Sequence, residues 1–161
     1  MFTNIFRRKP ELPGPETVPH VDVQKYCGTW YEVAAIPVKR QMGCTNTKAE
    51  YTLEPGGGRV LVRNSCRKNG RSVSVKATAV PVEGSGNARL VVTFFRLFKG
   101  DYWVIGLADD YSWALVTNPS RTRCWVLSRT PYPDDEIYMR MLEVLRQKGI
   151  DVSLLVRTIH D

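Results

Sequence analysis

Histidine is scarce in this chain of 161 residues: there are only two, His20 and His160, and they lie near opposite ends. Zinc enzymes and hydrolases that pair serine with histidine need such side chains in one place, so the sequence disfavours both classes. Long apolar runs are also missing. No stretch approaches the ~18 residues that cross a bilayer, so we expect no membrane-spanning helix. We predict no catalytic residues, no metal site and no cofactor.

Paired cysteine motifs are absent as well. Cys27, Cys44, Cys66 and Cys124 form no Cys-x-x-Cys pair, which argues against a zinc or iron–sulfur site. The even number allows disulfides, and the sequence leaves free thiols and disulfides both open. The N-terminus lacks the charge order and the apolar core of a secretory signal. We therefore expect that a leader has been removed or that the protein stays inside the cell, and the compartment stays open.

Positive charge is in excess, because 23 Lys and Arg residues outnumber 16 Asp and Glu residues and give a formal charge of +7. The basic residues are scattered and no aromatic platform accompanies them, which disfavours a nucleic-acid partner. An anionic membrane surface fits better, with residues 2–9 as one point of contact. We expect a monomer or a weak dimer.

The organisation along the chain is that of one β domain. Residues 1–20 form a predicted flexible, proline-rich and basic segment, and residues 21–161 a single domain. Turn signals such as Asn69-Gly70 separate short alternating stretches, so successive strands are antiparallel. We therefore predict an all-β, eight-stranded up-and-down barrel, with one α-helix from Asp134 to Gly149 packed outside and a final strand at 153–159. The barrel strands are predicted at 28–36, 45–53, 59–67, 72–82, 89–98, 102–108, 111–117 and 122–128.

Three short runs carry a resemblance to a known family. Gly28-Thr29-Trp30-Tyr31, Ala108-Asp109-Asp110-Tyr111 and Leu127-Ser128-Arg129-Thr130-Pro131 resemble, in order, the three motifs of the lipocalins. The chain looks most like the branch of bacterial lipocalins, plant temperature-induced lipocalins and apolipoprotein D. The motifs predict that Trp30 plugs the closed end of the barrel and that Arg129 lies over its indole face. They imply a structural role for Gly28, Trp30, Tyr31, Asp109, Tyr111 and Arg129.

Alternation along the strands predicts which side chains point inward. Small and aromatic residues mix on this face, so it could hold a ligand, and plain core packing is the alternative at each position. Arg123 and Lys68 are placed near the open rim, where they could pair with an anionic head group. The predicted ligand-binding residues are Ala49, Tyr51, Val62, Asn64, Cys66, Ala77, Val92, Phe94, Tyr102, Ala114, Val116, Arg123 and Trp125.

The predicted function is non-enzymatic binding, with transport or storage of a small lipophilic ligand such as a fatty acid, a lysophospholipid or a pigment. One alternative is a lipid-modifying enzyme on the same scaffold, for which Glu32 and Cys66 are the inward candidates. Another is a membrane-associated protein that protects lipids, and the resemblance to the temperature-induced branch implies a role in stress response. The ligand itself stays open.

Overall fold

The computed structural model describes residues 13–95 and 98–161. Within them, nine strands form one antiparallel sheet in the order β2-β3-β4-β5-β6-β7-β8-β1-β9, and β1 also pairs with β2, which closes an eight-stranded barrel. The predicted fold is confirmed. The strands are β1 (Gly28–Ala35), β2 (Thr45–Leu53), β3 (Val60–Lys68), β4 (Arg71–Pro81), β5 (Arg89–Phe94), β6 (Phe98–Leu107), β7 (Trp113–Thr117), β8 (Cys124–Ser128) and β9 (Val156–Arg157).

Two apolar clusters hold the fold together. One fills the barrel and includes Trp30, Val62 and Val104. The other lies between the barrel wall and the long helix α2 (Asp135–Gln147), whose Met141 and Leu145 are fully buried. Gly149 ends this helix in the left-handed region, with φ of +80°, as glycine at that position does readily. The helix therefore packs outside the barrel, as the sequence predicts.

The hairpin between β5 and β6 differs from the prediction. The sequence places a strand at 89–98 and a turn at Lys99-Gly100-Asp101, but these three residues belong to β6 and the chain reverses directly after Phe94, which pairs with Phe98. The polar run is exposed because this end of the hairpin extends past the apolar core of the barrel. An exposed strand end therefore carried the composition of a turn.

A register shift in β1 overturns part of the predicted alternation. Counting inward from Trp30 predicts that Glu32 and Ala34 both face the interior. The pairing of β1 with β8 slips between these two residues, as at a β-bulge, and Ala34 joins the outer cluster. The predicted final strand at 153–159 is shorter than expected, with a 3₁₀ turn at Val152–Leu154 followed by β9.

The segment before the barrel lies against it. Residues 1–12, including the predicted membrane contact at 2–9, lie outside the described residues. In the rest of the segment, Val18 donates its N–H to the Val104 carbonyl (3.0 Å) and Arg121 donates to the Pro13 carbonyl (3.2 Å). A side chain on Gly14 would clash with the Trp103 ring. Residues 13–20, which precede the domain start predicted at residue 21, thus also pack on the barrel.

No helix in the described part of the chain is long and apolar enough to cross a membrane. The same residues contain no cluster of three or more His, Cys, Asp or Glu side chains suited to a metal ion.

Candidate functional site

The closed end of the barrel is built around Trp30, which is completely buried. Its indole N–H donates to the Tyr26 carbonyl at 2.7 Å. The guanidinium carbon of Arg129 lies 3.7 Å from the centre of the indole ring, a cation–π contact worth about 2 kcal/mol where water is excluded. The predicted pairing of these two residues is present in the structure.

Arg129 also ties three chain segments together through backbone carbonyls. Its guanidinium donates to Thr29 (2.9 Å) and Lys25 (2.8 Å), and to Tyr111 of the second motif (3.2 Å). Gly28 adopts φ of +102°, and a side chain there would come within 3.3 Å of the same guanidinium. The glycine of the first motif thus serves both the backbone conformation and the seat of Arg129.

The second motif forms a tight turn beside this cluster. Tyr111 adopts φ of +60°, and its hydroxyl accepts a hydrogen bond from the Asp22 backbone N–H at 2.9 Å. Asp109 is exposed on the turn, and Tyr31 lies on the outer face with its ring edge against His160. These motif residues shape the closed end.

Most of the predicted ligand-binding residues share the interior cluster. It brings together Ala49, Tyr51, Val62, Ala77, Val92, Phe94, Tyr102, Ala114, Val116 and Trp125. Burial is complete at the closed end, where Trp30 and Val104 are each 0% exposed, whereas Phe94, Tyr102 and Trp125 are only half-buried. The interior therefore opens toward the end opposite Trp30, which we call the mouth. Whether these side chains touch a ligand stays a prediction.

Three predicted site residues lie outside that cluster. Asn64 is half-buried on β3, above Val62 in the direction of the mouth. Cys66 forms a disulfide with Cys44, which resolves the open question of cysteine pairing for these two, while Cys27 and Cys124 are free thiols. Arg123 is exposed in the loop between β7 and β8, at the predicted rim. The predicted head-group partner Lys68 donates to the Arg40 carbonyl at 3.4 Å.

A polar cluster crosses the apolar interior. The Tyr102 hydroxyl lies 2.7 Å from that of Tyr26 and 3.1 Å from that of Tyr51. Burial raises the pKa of Tyr51 to about 12 and raises the pKa values of Tyr26 and Tyr102 above their ordinary range, so all three phenols are protonated at neutral pH. We call Tyr26, Tyr51 and Tyr102 the tyrosine triad.

Tyr26 is the site residue that strand alternation does not reveal. It ends the short helix α1 (Val23–Tyr26), whose N-cap Asp22 accepts hydrogen bonds from the backbone N–H groups of Gln24 and Lys25. Aspartate is a favoured N-cap residue, so Asp22 is the sequence signal from which this helical turn, and with it the position of Tyr26, could have been predicted. Its aromatic ring then lies 5.1 Å from that of Trp30.

Below the triad, at the closed end, lies a cavity of about 30 Å³ with largely apolar walls that include Val21, Val60 and Leu90. This volume is about the size of one water molecule and far too small for a lipid. The space below the triad is thus too small for a lipid, which leaves the part of the bore between the triad and the mouth as the candidate site.

Glu32 is the inward carboxylate. It is 8% exposed, and the hydroxyl of Thr158 donates to its Oε1 at 2.7 Å. Burial raises the pKa of this carboxyl, and the Thr158 hydrogen bond and nearby His160 oppose the rise. Through this hydrogen bond, Glu32 holds the C-terminal segment against β1.

The mouth is basic and carries exposed apolar side chains. Met42 in the β1–β2 loop is 64% exposed, Phe95 in the β5–β6 turn is 69% exposed and Phe98 is 55% exposed. The guanidinium of Arg40 lies 5.4 Å from the centre of the Phe98 ring, so the β1–β2 loop reaches across to the hairpin. Basic side chains on the surrounding loops and strand ends are Lys39, Arg40, Lys68, Arg71, Lys99 and Arg123.

Comparisons with known proteins agree with this architecture. The family model described as "Lipocalin-like domain" matches residues 21–160. Temperature-induced lipocalin-1 of Arabidopsis thaliana is 35% identical over 152 residues, covering 89% of this chain and 81% of that protein. Outer membrane lipoprotein Blc of Escherichia coli K12 is 35% identical over 144 residues, with the same two shares.

Among solved structures, insecticyanin from the tobacco hornworm Manduca sexta superimposes with a TM-score of 0.75 at 21% identity, covering 93% of this chain and 88% of that one. This similarity concerns the fold. The two curated relatives are a plant temperature-induced and a bacterial lipocalin, which confirms the resemblance carried by the three motifs. From the family match and the identity to these relatives, the chain belongs to the lipocalin family.

Proposed function

We propose that this protein binds a small lipophilic ligand between the tyrosine triad and the mouth, and carries or stores it without chemical change. The family binds small hydrophobic ligands, and the observation that supports a site here is the gradient of burial inside the barrel. Full burial at Trp30 gives way to half-buried Phe94 and Trp125 toward the mouth. An apolar ligand there gains about 25 cal/mol per Å² of apolar surface removed from water. A fatty acid, a lysophospholipid or a flat pigment are the candidate classes.

Enzymatic use of the same site has less support. The Cys66 sulfur is bonded to Cys44, so it is not available as a nucleophile in the oxidised protein. The Glu32 carboxyl is engaged by Thr158. Both residues that the sequence suggests for catalysis, Glu32 and Cys66, therefore have structural partners. Non-enzymatic binding is the function that the site supports best.

Tryptophan fluorescence tests the binding site. Titration with the neutral dye N-phenylnaphthylamine should quench tryptophan emission by energy transfer, and Trp125→Phe should weaken the quenching because this side chain lines the bore. Trp113→Phe is the matched control, since Trp113 packs in the outer cluster. Displacement of the dye by a fatty acid, by lysophosphatidylcholine or by a bilin then ranks the candidate classes. Absence of dye binding, together with no response to any of the three, would refute the proposal.

The mouth also supports a proposed anionic membrane surface as a partner. Exposed Phe95, Phe98 and Met42 are suited to insertion among lipid head groups, and the basic side chains around them attract negative lipids. Asp101 and the Arg67–Asp161 ion pair (3.2 Å) also lie toward this end, so the positive field is not uniform. A carrier that docks by its mouth would collect a lipid without passing it through water.

Vesicle sedimentation tests this contact. Phe95→Ser combined with Phe98→Ser should lower binding to phosphatidylglycerol-containing vesicles roughly tenfold, because two large apolar side chains are lost from the contact. Met139→Ser with Leu154→Ser is the control, since both side chains are exposed but lie on or after α2. Equal binding by both double variants and the wild type would rule out docking through the mouth.

A further inference from the structure

We propose that the tyrosine triad is a hydrogen-bond donor site for an uncharged carbonyl oxygen, so that the preferred ligand is a neutral lipophilic ketone, aldehyde or ester bound with this oxygen deepest. The inference rests on the proposed binding of a lipophile in the bore and names the chemical class of that ligand.

The triad lies across the path of any ligand that enters from the mouth. Tyr51 belongs to β2 and Tyr102 to β6, and these strands are four apart in the ring of eight, so they face each other across the bore. Their hydroxyl oxygens are nevertheless only 3.1 Å apart. The hydroxyls must therefore meet near the barrel axis, and they form the floor of the space in which a ligand would sit.

A count of hydrogen atoms shows that the triad has a donor to spare. Three hydroxyls carry three hydrogens, and the structure joins them by two hydrogen bonds, both made with Tyr102. Whichever way the hydroxyls rotate, one hydrogen is left over, and no other side chain or backbone group in the described part of the chain accepts it. A buried donor without an acceptor is costly, so this hydrogen favours an acceptor supplied by water or by a ligand.

The surroundings favour a neutral acceptor over a carboxylate. No lysine or arginine in the described part of the chain is buried, and the buried charged side chain there is the acidic Glu32. The Arg129 guanidinium is held by backbone carbonyls and by the Trp30 ring, so it does not form an ion pair with a ligand at the triad. A carboxylate at the triad would be desolvated without a counter-charge, whereas a carbonyl oxygen needs only the hydrogen bond. A fatty acid would instead enter tail first and keep its carboxylate at the basic mouth.

Two ligands of equal shape test the role of the hydroxyls. One is methyl nonyl ketone, and the other is its analogue in which a methylene group replaces the carbonyl oxygen. Both are measured by displacement of N-phenylnaphthylamine from the wild type and from the variant Tyr26→Phe, Tyr51→Phe, Tyr102→Phe. The variant keeps the three rings and should raise the Kd of the ketone about tenfold while leaving that of the hydrocarbon analogue unchanged. Tyr31→Phe with Tyr138→Phe, on the outer face and on α2, should change neither.

An infrared measurement on the wild type does not depend on the folding of the variant. The carbonyl stretch of isotope-labelled methyl nonyl ketone should lie at lower frequency when bound than in hexane, because a hydrogen bond weakens the carbonyl bond. A hexane-like frequency, or an equal loss of affinity for both ligands in the triple variant, would overturn the inference while leaving lipophile binding in place. If the wild type binds neither the dye nor the two ligands, the proposed function itself fails.

Discussion

The guanidinium carbon of Arg129 lies 3.7 Å from the centre of the fully buried Trp30 ring, and the same guanidinium donates to backbone carbonyls of Lys25, Thr29 and Tyr111. This pair closes the end of the barrel that cannot admit a ligand. It also explains why residues of the first and third motifs, about a hundred positions apart in the chain, behave as one structural unit.

Loss of the Arg129 side chain should destabilise the protein without changing the ligand preference. Arg129→Gln removes the cation–π contact and leaves carbonyl oxygens without their donor, so the free energy of unfolding should fall by about 2–4 kcal/mol. Urea unfolding followed by tryptophan emission measures this. Arg140→Gln is the control, since Arg140 is exposed on α2 and pairs with Glu136 only at 3.9 Å. If the free energy of unfolding falls no more than it does in the control, the contact between Arg129 and Trp30 does not stabilise the fold.

Glu32 should make the stability fall as the pH rises. Its carboxyl has a raised pKa in the folded state because of burial, so over the interval from the ordinary value of about 4.3 up to the folded value the native state binds more protons than the unfolded state. Stability contributed by the protonated form is thus present at low pH and is lost as the pH rises through the folded pKa. Glu32→Gln should be more stable than the wild type at neutral pH and should lack this dependence.

The glutamine variant keeps an oxygen that can accept from Thr158, so the comparison isolates the charge. Chemical unfolding at a series of pH values reads the slope directly. His160 also lies against this residue, since its Nε2 is 2.7 Å from the Glu32 carbonyl oxygen, and a His160→Gln variant measures what that contact contributes to stability. A wild type that gains stability between mildly acidic and neutral pH, with the Glu32→Gln variant behaving alike, would contradict the role given to Glu32.

The Cys44–Cys66 disulfide should stabilise the fold through its closed loop. The two cysteines are 22 positions apart, and a loop of this length is expected to contribute about 3 kcal/mol by restricting the unfolded chain. Cys44→Ser with Cys66→Ser should lower the free energy of unfolding by this order, and a reducing agent should do the same to the wild type. Cys27→Ser, which removes a free thiol, should leave the effect of the reducing agent intact; if it abolishes that effect, the pairing is different.

The parts of this structure that could be predicted are those governed by local pattern. Short antiparallel connections and alternation determine the barrel, and the three motifs locate Trp30 and Arg129. Alternation also places Tyr51 and Tyr102 inside the barrel, because in a regular strand every second side chain points to the same face. It fails at Ala34, where a register shift changes the phase.

Other features depend on contacts that no local pattern encodes. Tyr26 joins the triad because a single helical turn folds under the barrel and aims its ring at strands far along the chain. The cysteine pairing depends on β2 and β3 aligning Cys44 beside Cys66, and four cysteines alone allow several pairings. The sequence between Phe94 and Phe98 contains no Gly, Pro, Asn or Asp, so the pattern of turn residues predicts the turn at Lys99-Gly100-Asp101, in the exposed strand end beyond it.

The central claim, that a lipophile occupies the bore between the mouth and the tyrosine triad, is tested most directly by a crystal structure of the complex with ω-bromododecanoic acid. The bromine at the end of the tail is located by its anomalous scattering. The predicted result is a bromine peak inside the barrel above Tyr51 and Tyr102, with the carboxylate near Lys68 and Arg123 at the mouth. A peak on the outer surface, or in the crevice between α2 and the barrel wall with the bore empty, would contradict the account.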